Sequence, residues 1–300
     1  MEHGPIDDRT LRAALALAGR APSVHNTQPW RWRIGERSFH LYLDPTQALL
    51  SPDPGRRDLV VSCGAALHHL RIAFAGLGWS AVVHRLPTAS DPDHLASIDL
   101  VRHRPVPLDI ALSAAIPDRQ TDRRPYGSSP IPPGYLGLVT ERAATLGATV
   151  RHAAEGSSDL LVEAIRTVAV RYPGDSEPET RDSGMLESAE TAREPDFAEL
   201  LVLGTSADDR RSRLRAGEAL SAVLLTATNV GLATCVLTEP FDLPDMRHRV
   251  REGVLDNNAC PQAIIRIGWA PVCAPPLPVT PRVAIEDLMD LCGIAEVDSK

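Results

Sequence analysis

The chain nearly repeats itself at a spacing of 153 residues, and this repeat restricts its fold more than any other feature. Arg57-Asp-Leu-Val-Val-Ser-Cys-Gly-Ala-Ala-Leu runs on to Gly78, and Arg210-Arg-Ser-Arg-Leu-Arg-Ala-Gly-Glu-Ala-Leu runs on to Gly231. Gly64 matches Gly217, and Gly78 matches Gly231. Each stretch reads as a long amphipathic helix stopped by a glycine, where a helix C-terminus favours positive φ. Strand-like runs follow both, from Ser80 to Leu86 and from Ala233 to Leu237. A solenoid period would be far shorter, so the pattern predicts a duplicated unit rather than an array. The competing explanation is that two alanine-rich core helices resemble each other through composition alone.

Periodicity supplies the remaining elements. Helices are predicted near 8–20, 133–146 and 157–170, with a short one near 284–291. Arg31-Trp-Arg-Ile and Phe39-His-Leu-Tyr-Leu alternate as a hairpin around Gly35. Further strands are predicted near 80–86, 97–102, 200–204, 233–238 and 263–268. Helices and strands do not alternate strictly, so the predicted class is α+β, with one half at 1–105 and the other at 106–300. Tyr172 to Asp196 holds eight carboxylates against two arginines and reads as an exposed loop or lid. Val272 to Pro281 reads as a proline-rich extended arm.

Charge excludes several functions. The formal net charge of −8 argues against a nucleic-acid partner, which would need broad phosphate neutralisation. Among the 31 basic residues the one lysine is Lys300, so arginine supplies nearly every cation. An internal Schiff-base lysine, a pyridoxal-phosphate lysine and a Walker-A lysine are thereby excluded. Any phosphate clamp must be built from arginine, which binds such groups bidentately.

Cys63, Cys235, Cys260, Cys273 and Cys292 are scattered without a Cys-x-x-Cys. Glu2, Asp7 and Asp8 stand where a secretory leader has its basic and apolar regions, and no long apolar run suggests a membrane span. A cytoplasmic protein with reduced thiols is the expectation. Cys63 and Cys235 sit in apolar surroundings and read as packed thiols. His68 and His69 point in different directions on a helix, and no zinc-type spacing occurs, so no metal site is predicted.

Two clusters carry chemistry. In Arg119-Gln-Thr121-Asp122-Arg123-Arg124-Pro-Tyr126, one helical turn would bring Arg119 and Arg123 to one face with Thr121 between them. Two guanidiniums and a hydroxyl suit a phosphate dianion; the alternative is a solvated charged turn in which Asp122 pairs with Arg124. The second cluster is Pro22-Ser23-Val-His25-Asn26-Thr-Gln28-Pro29-Trp30. A catalytic triad is a poor reading of it, because no Gly-x-Ser-x-Gly surrounds Ser23 and triad members rarely lie so close together. Ser23 reads equally as a helix N-cap, Asn26 as a turn former, and Trp30 and Trp32 as core aromatics.

These strings together resemble the nitroreductase family. Pro-Ser-x-x-Asn-x-Gln-Pro-Trp is similar to that family's segment beside the flavin ring, and Arg-x-Thr-x-Arg to its phosphate- and ring-binding segment. Leu232 to Asp242 resembles the strand whose following turn meets flavin N5 and O4, and Thr280-Pro281-Arg282 the late basic element that returns to the phosphate. The Ala-Pro-Ser-x-His-Asn-x-Gln-Pro-Trp-Arg-Trp string, the Ser-Cys-Gly-Ala-Ala-Leu-His-His-Leu string and Thr-Asp-Arg-Arg-Pro-Tyr resemble the actinobacterial Acg-type subgroup. The resemblance implies an FMN-dependent NAD(P)H oxidoreductase, reducing a nitroaromatic or quinone-like acceptor, in a monomer or weak dimer. Arg119, Thr121, Thr280 and Arg282 would hold the phosphate, and Arg123 would lie near N1 and C2=O, where negative charge develops. Ser23, Asn26, Gln28, Pro29, Trp30, Arg31 and Trp32 would line the ring, and Glu239 would offer a backbone N–H at N5. No acid–base catalyst is implied. The serine–asparagine motif occurs once, as does the arginine–threonine motif, so the resemblance implies one flavin per chain. Where many relatives carry glycine after that glutamate, this chain has Pro240, which has no N–H. Pro240 therefore keeps open an alternative, a protein that sequesters or stores FMN with little turnover.

Overall fold

The computed structural model describes residues 6–35, 38–44, 46, 56–153, 155–171 and 195–291. The expected lid at 172–196 falls outside them except for its last two residues. Contacts divide the chain into two compact units, Met1–Pro117 with Pro281–Lys300, and Asp118–Thr280. This differs from the expected halves of 1–105 and 106–300 at both ends of the second half.

In the first unit, α1 (Asp8–Ala18) starts where the Asp7 carboxylate accepts the Thr10 N–H at 2.8 Å, satisfying one of the helix's orphan donors. Strands β1 (Trp30–Ile34) and β2 (Ser38–Leu43) form the predicted hairpin. Then come α2 (Arg57–Gly76), β3 (Trp79–Arg85), β4 (His94–Arg102) and α3 (Pro107–Asp118). Helix α3 explains one boundary shift. A Cβ on Gly76 would lie 2.7 Å from the Ser113 side chain, so α2 and α3 meet where only glycine fits.

The second unit contains α4 (Pro133–Thr145), β5 (Ala148–His152), α5 (Glu155–Arg171), β6 (Glu199–Thr205) and α6 (Arg210–Asn229). Strand β7 (Ala233–Leu237), a 3-10 turn at Glu239–Asp242, α7 (Pro244–Gly253) and β8 (Cys260–Gly268) complete it. The chain then returns to the first unit through α8 (Ile285–Leu288) and β9 (Met289–Leu291), which pairs in parallel with β1. That pairing explains the other boundary shift.

The repeat is visible in topology. The first sheet runs β3-β4-β2-β1 and the second β7-β8-β6-β5, antiparallel throughout, with β9 added beside β1. Each unit places a helix, two strands, a 20-residue helix and two more strands in the same chain order; α5 and α7 are insertions in the second. Gly78 (φ 88°) and Gly231 (φ 81°) both close the long helix in the left-handed region, as their positions require.

Helix α2 is buried on every side from Arg57 to Leu70. It is long and apolar enough to cross a membrane by composition, yet most of it lies inside the protein and it carries the Arg57–Asp58 pair at 2.7 Å. A helix apolar all round is a core helix when protein surrounds it. Helices α3 and α7 and strands β5 and β9 were not anticipated. In α7 only Met246 and Val250 are buried among charged residues, so it shows little apolar periodicity.

Candidate functional site

The sequence-predicted residues fall into two groups, one in each unit. In the second unit, α3 has ended at Asp118, and Arg119 to Tyr126 runs without helix. The expected helical turn is therefore incorrect. Thr121 instead bridges Thr234 in parallel, and the Asp122 N–H donates to the Thr234 carbonyl at 2.9 Å. A backbone laid along a strand sends residues two apart to the same side. Asp122 and Arg124 share a side and pair, with Nε to Oδ1 at 2.9 Å and Nη2 to Oδ2 at 2.7 Å.

This is no solvated turn. Arg119 is 4% exposed and Asp122 3%, while Arg123 is exposed. The string touches β7 at Thr234, and by Gly127 it bridges Trp269. Both Arg123 and Glu239 act on Cys235: burial pushes its thiol upward, Arg123 and Arg266 oppose that, and Glu239 adds to it. Within the turn, the Glu239 carboxylate accepts the Thr238 N–H at 2.9 Å, and the Phe241 N–H donates to the Thr238 carbonyl at 3.0 Å. Pro240 is buried there and has no N–H to offer. The proline-rich arm opens on a turn, with Cys273 at φ 63°, and has neither helix nor strand after it; Gln120 and Arg124 tie it down at the Pro278 and Pro275 carbonyls.

Beneath this string lies a group the sequence reading missed. Arg266 donates to Asp196 at 2.5 Å and stacks over the Tyr126 ring at 4.8 Å. The Tyr126 hydroxyl donates to the Asp122 carbonyl at 2.8 Å. The signal was an arginine in the middle of an apolar strand run, Ala263-Ile-Ile-Arg266-Ile-Gly268. Such a charge must find partners when the strand is buried.

The first unit holds the other group. Val24 to Asn26 form a short 3-10 turn, in which His25, Asn26 and then Gln28 adopt φ of 46°, 53° and 48°. Three non-glycine residues at positive φ within four positions are costly, and surrounding bonds must hold them. The Val24 N–H donates to Ser62 Oγ at 3.1 Å, and Ser23 Oγ accepts the Gln28 N–H at 3.0 Å. Ser23 thus closes the turn across five residues; its side chain does not cap the helix.

Pro29, Trp30 and Trp32 are packed rather than displayed. Both indoles are 1% exposed, on the inner side of β1, and among the described residues their buried N–H groups have no acceptor. Arg31 lies on the opposite side and pairs with Asp44 at 3.2 Å.

Arg282 belongs to this group. Its Nη1 donates to Asn26 Oδ1 at 2.9 Å and its Nη2 to the Arg20 carbonyl at 3.2 Å. Burial, then the neighbouring Arg20 charge, pushes its guanidinium down to about 10, still cationic at neutral pH. A half-buried cation held by neutral acceptors suits an anionic group such as a flavin phosphate.

No family model matches the chain. It is 41% identical over 316 residues to "Putative NAD(P)H nitroreductase Rv3131" of Mycobacterium tuberculosis, covering 95% of this chain and 92% of that one. It is 36% identical over 316 residues to "Putative NAD(P)H nitroreductase acg" of the same organism, covering 93% and 94%. A crystal structure of a "putative nitroreductase from anabaena variabilis" matches 89% of this chain and 90% of its own at TM-score 0.56 and 10% identity, a likeness of fold alone.

Proposed function

Because this chain belongs to the nitroreductase family, in the group that includes Acg, we propose that it is an FMN-dependent NAD(P)H oxidoreductase acting on nitroaromatic or quinone-like acceptors. The observation that carries this reading is that Thr121 lies beside Thr234 of β7 while Arg123 and Glu239 both act electrostatically on Cys235 of the same strand. Bound FMN supplies two-electron transfer between reduced nicotinamide and an acceptor. By the family resemblance, Arg119, Thr121, Thr280 and Arg282 would hold its phosphate, and the exposed Arg123 would supply positive charge to the ring. Glu239 would offer its backbone N–H. Location in the cytoplasm belongs to the same proposal, because reduced nicotinamide dinucleotides are supplied there.

Pro240 favours a second reading, in which the protein stores flavin with little turnover. The two separate cleanly. Anaerobic NAD(P)H added to the flavin-loaded protein bleaches the absorbance at about 450 nm if the chain is a reductase. Persistent colour under excess reductant selects storage, and failure to take up flavin at all rejects both.

A further inference from the structure

We propose that Asn26 and Gln28 are positioning residues that build an anion seat around Arg282, and that they do not act by touching the flavin ring. The anion is a phosphate monoester, the flavin's own on the reading above, on which the identity of this ligand rests.

The hydrogen bonds of Asn26 point away from a ring contact. Its Nδ2 donates to the Pro281 carbonyl at 3.0 Å, and its Oδ1 accepts from Arg282 Nη1 at 2.9 Å. A carbonyl can only accept and a guanidinium can only donate, so the group between them must donate and accept at once, as the Asn26 amide does. The same logic fixes which end of the amide faces which partner. Gln28 adds a third tie, its Oε1 accepting the Val283 N–H at 3.0 Å. Three consecutive residues, 281 to 283, are thereby bound to two side chains of one turn.

The turn keeps Asn26 and Gln28 at positive φ to make these bonds. Neither residue is glycine, so the conformation is held at a cost. What that cost secures is the position of Arg282. Its acceptors are an amide oxygen and the Arg20 carbonyl, both neutral, and among the described residues it makes no ion pair. A guanidinium has five N–H donors, and those two bonds leave others for an oxyanion. Its charge is therefore directed by the protein without being cancelled. The nearby Arg20 charge makes the place more favourable still to an anion.

The test uses the full-length chain with Asn26→Asp, Asn26→Ala, Arg282→Ala and the double variant Asn26→Ala/Arg282→Ala. Each is titrated with FMN and with riboflavin, which lacks the phosphate, and its melting is followed with inorganic phosphate. Asn26→Asp gives Arg282 an internal carboxylate, and the expected result is a loss of FMN affinity of about tenfold or more with riboflavin affinity unchanged. Asn26→Ala, which introduces no charge, is expected to lose less, and nothing further once Arg282 is already alanine. Equal losses for FMN and riboflavin would place Asn26 at the ring and overturn the proposal. So would an unchanged FMN affinity in Asn26→Asp. The flavin reading fails separately. A parent protein that ignores both flavins yet is stabilised by phosphate, with that stabilisation lost in Asn26→Asp, rejects FMN and keeps the anion seat. A parent that binds both flavins equally and ignores phosphate rejects the seat and keeps the flavin.

Discussion

Asp122 and Arg124, two residues apart, form a two-point ion pair in which Oδ1 accepts Nε at 2.9 Å and Oδ2 accepts Nη2 at 2.7 Å. The pair fixes a local bend in the arginine string at Arg124, because Asp122 Oδ1 also accepts the Arg124 N–H at 3.0 Å. Arg124 in turn reaches the Pro275 carbonyl at 2.7 Å and ties the proline-rich arm to the string. Asp122→Ala leaves the partly exposed Arg124 guanidinium without its acid, and the expected loss is about 1–2 kcal/mol. Urea unfolding measures it; a loss below about 0.5 kcal/mol, the range of ordinary surface substitutions, would show that the string holds its course without the pair.

Arg119 and Arg123 should separate in their effects because one is buried and one exposed. Arg123→Ala is expected to weaken FMN binding about ten- to a hundredfold, the worth of one charge-assisted contact, at unchanged stability. Arg119→Ala is expected to weaken both binding and folding. Paired titrations and melts decide this, and an unchanged flavin affinity in both variants moves the phosphate elsewhere.

The flavin itself is predicted to be FMN, because the cations offered are arginines and no Gly-x-Gly-x-x-Gly is present to receive a pyrophosphate. Denaturing the loaded protein and chromatographing the released cofactor is sufficient. One FMN per chain is expected at saturation, since each motif occurs once. At a hundredfold excess over the dissociation constant, binding raises stability by about 2.7 kcal/mol. FAD in the released fraction, or two equivalents per chain, contradicts this prediction.

Gly78 and Gly231 give a direct test of the repeat. Both end a 20-residue helix at positive φ, so alanine at either position meets the same backbone penalty. Each substitution should cost about 1–2 kcal/mol. Matched losses in denaturant unfolding are expected; no loss at one of them would mean its turn relaxes freely.

Stability should fall as the solution is acidified through the ordinary histidine range. Burial, and then Arg71, pushes His68 down to about 3, so the folded state keeps it neutral. The unfolded chain protonates it near about 6.5. Below that pH the unfolded state binds more protons, and stability is lost until the folded group titrates as well. At about pH 5 the single group accounts for about 2 kcal/mol. Burial lowers His40 and His94 in the same direction. Urea midpoints between about pH 7 and 5 should fall less steeply in His68→Gln than in the parent; parallel profiles would remove His68 from the account.

The sequence by itself determined the duplication, the two long helices with their terminal glycines, the β1–β2 hairpin and the α+β class. All of these rest on local or periodic signals: a 3.6-residue apolar repeat, alternation, and glycine where φ must be positive. It also supplied the Asp122–Arg124 pair, which two neighbouring residues can form on their own. Tertiary structure decided what depends on a distant partner. Arg119 to Arg123 became extended because β7 offered Thr234 as a pairing site, which no property of the string announces. Strand β9 is three residues long and exists because β1 lies beside it, which also brings the chain after Pro281 back to the first unit. Arg282 read as a phosphate ligand from its motif, yet its attachment to Asn26 spans 256 residues of sequence. Periodicity reports a residue's neighbours along the chain, whereas the bonds that orient Arg282 come from groups brought to it only by folding.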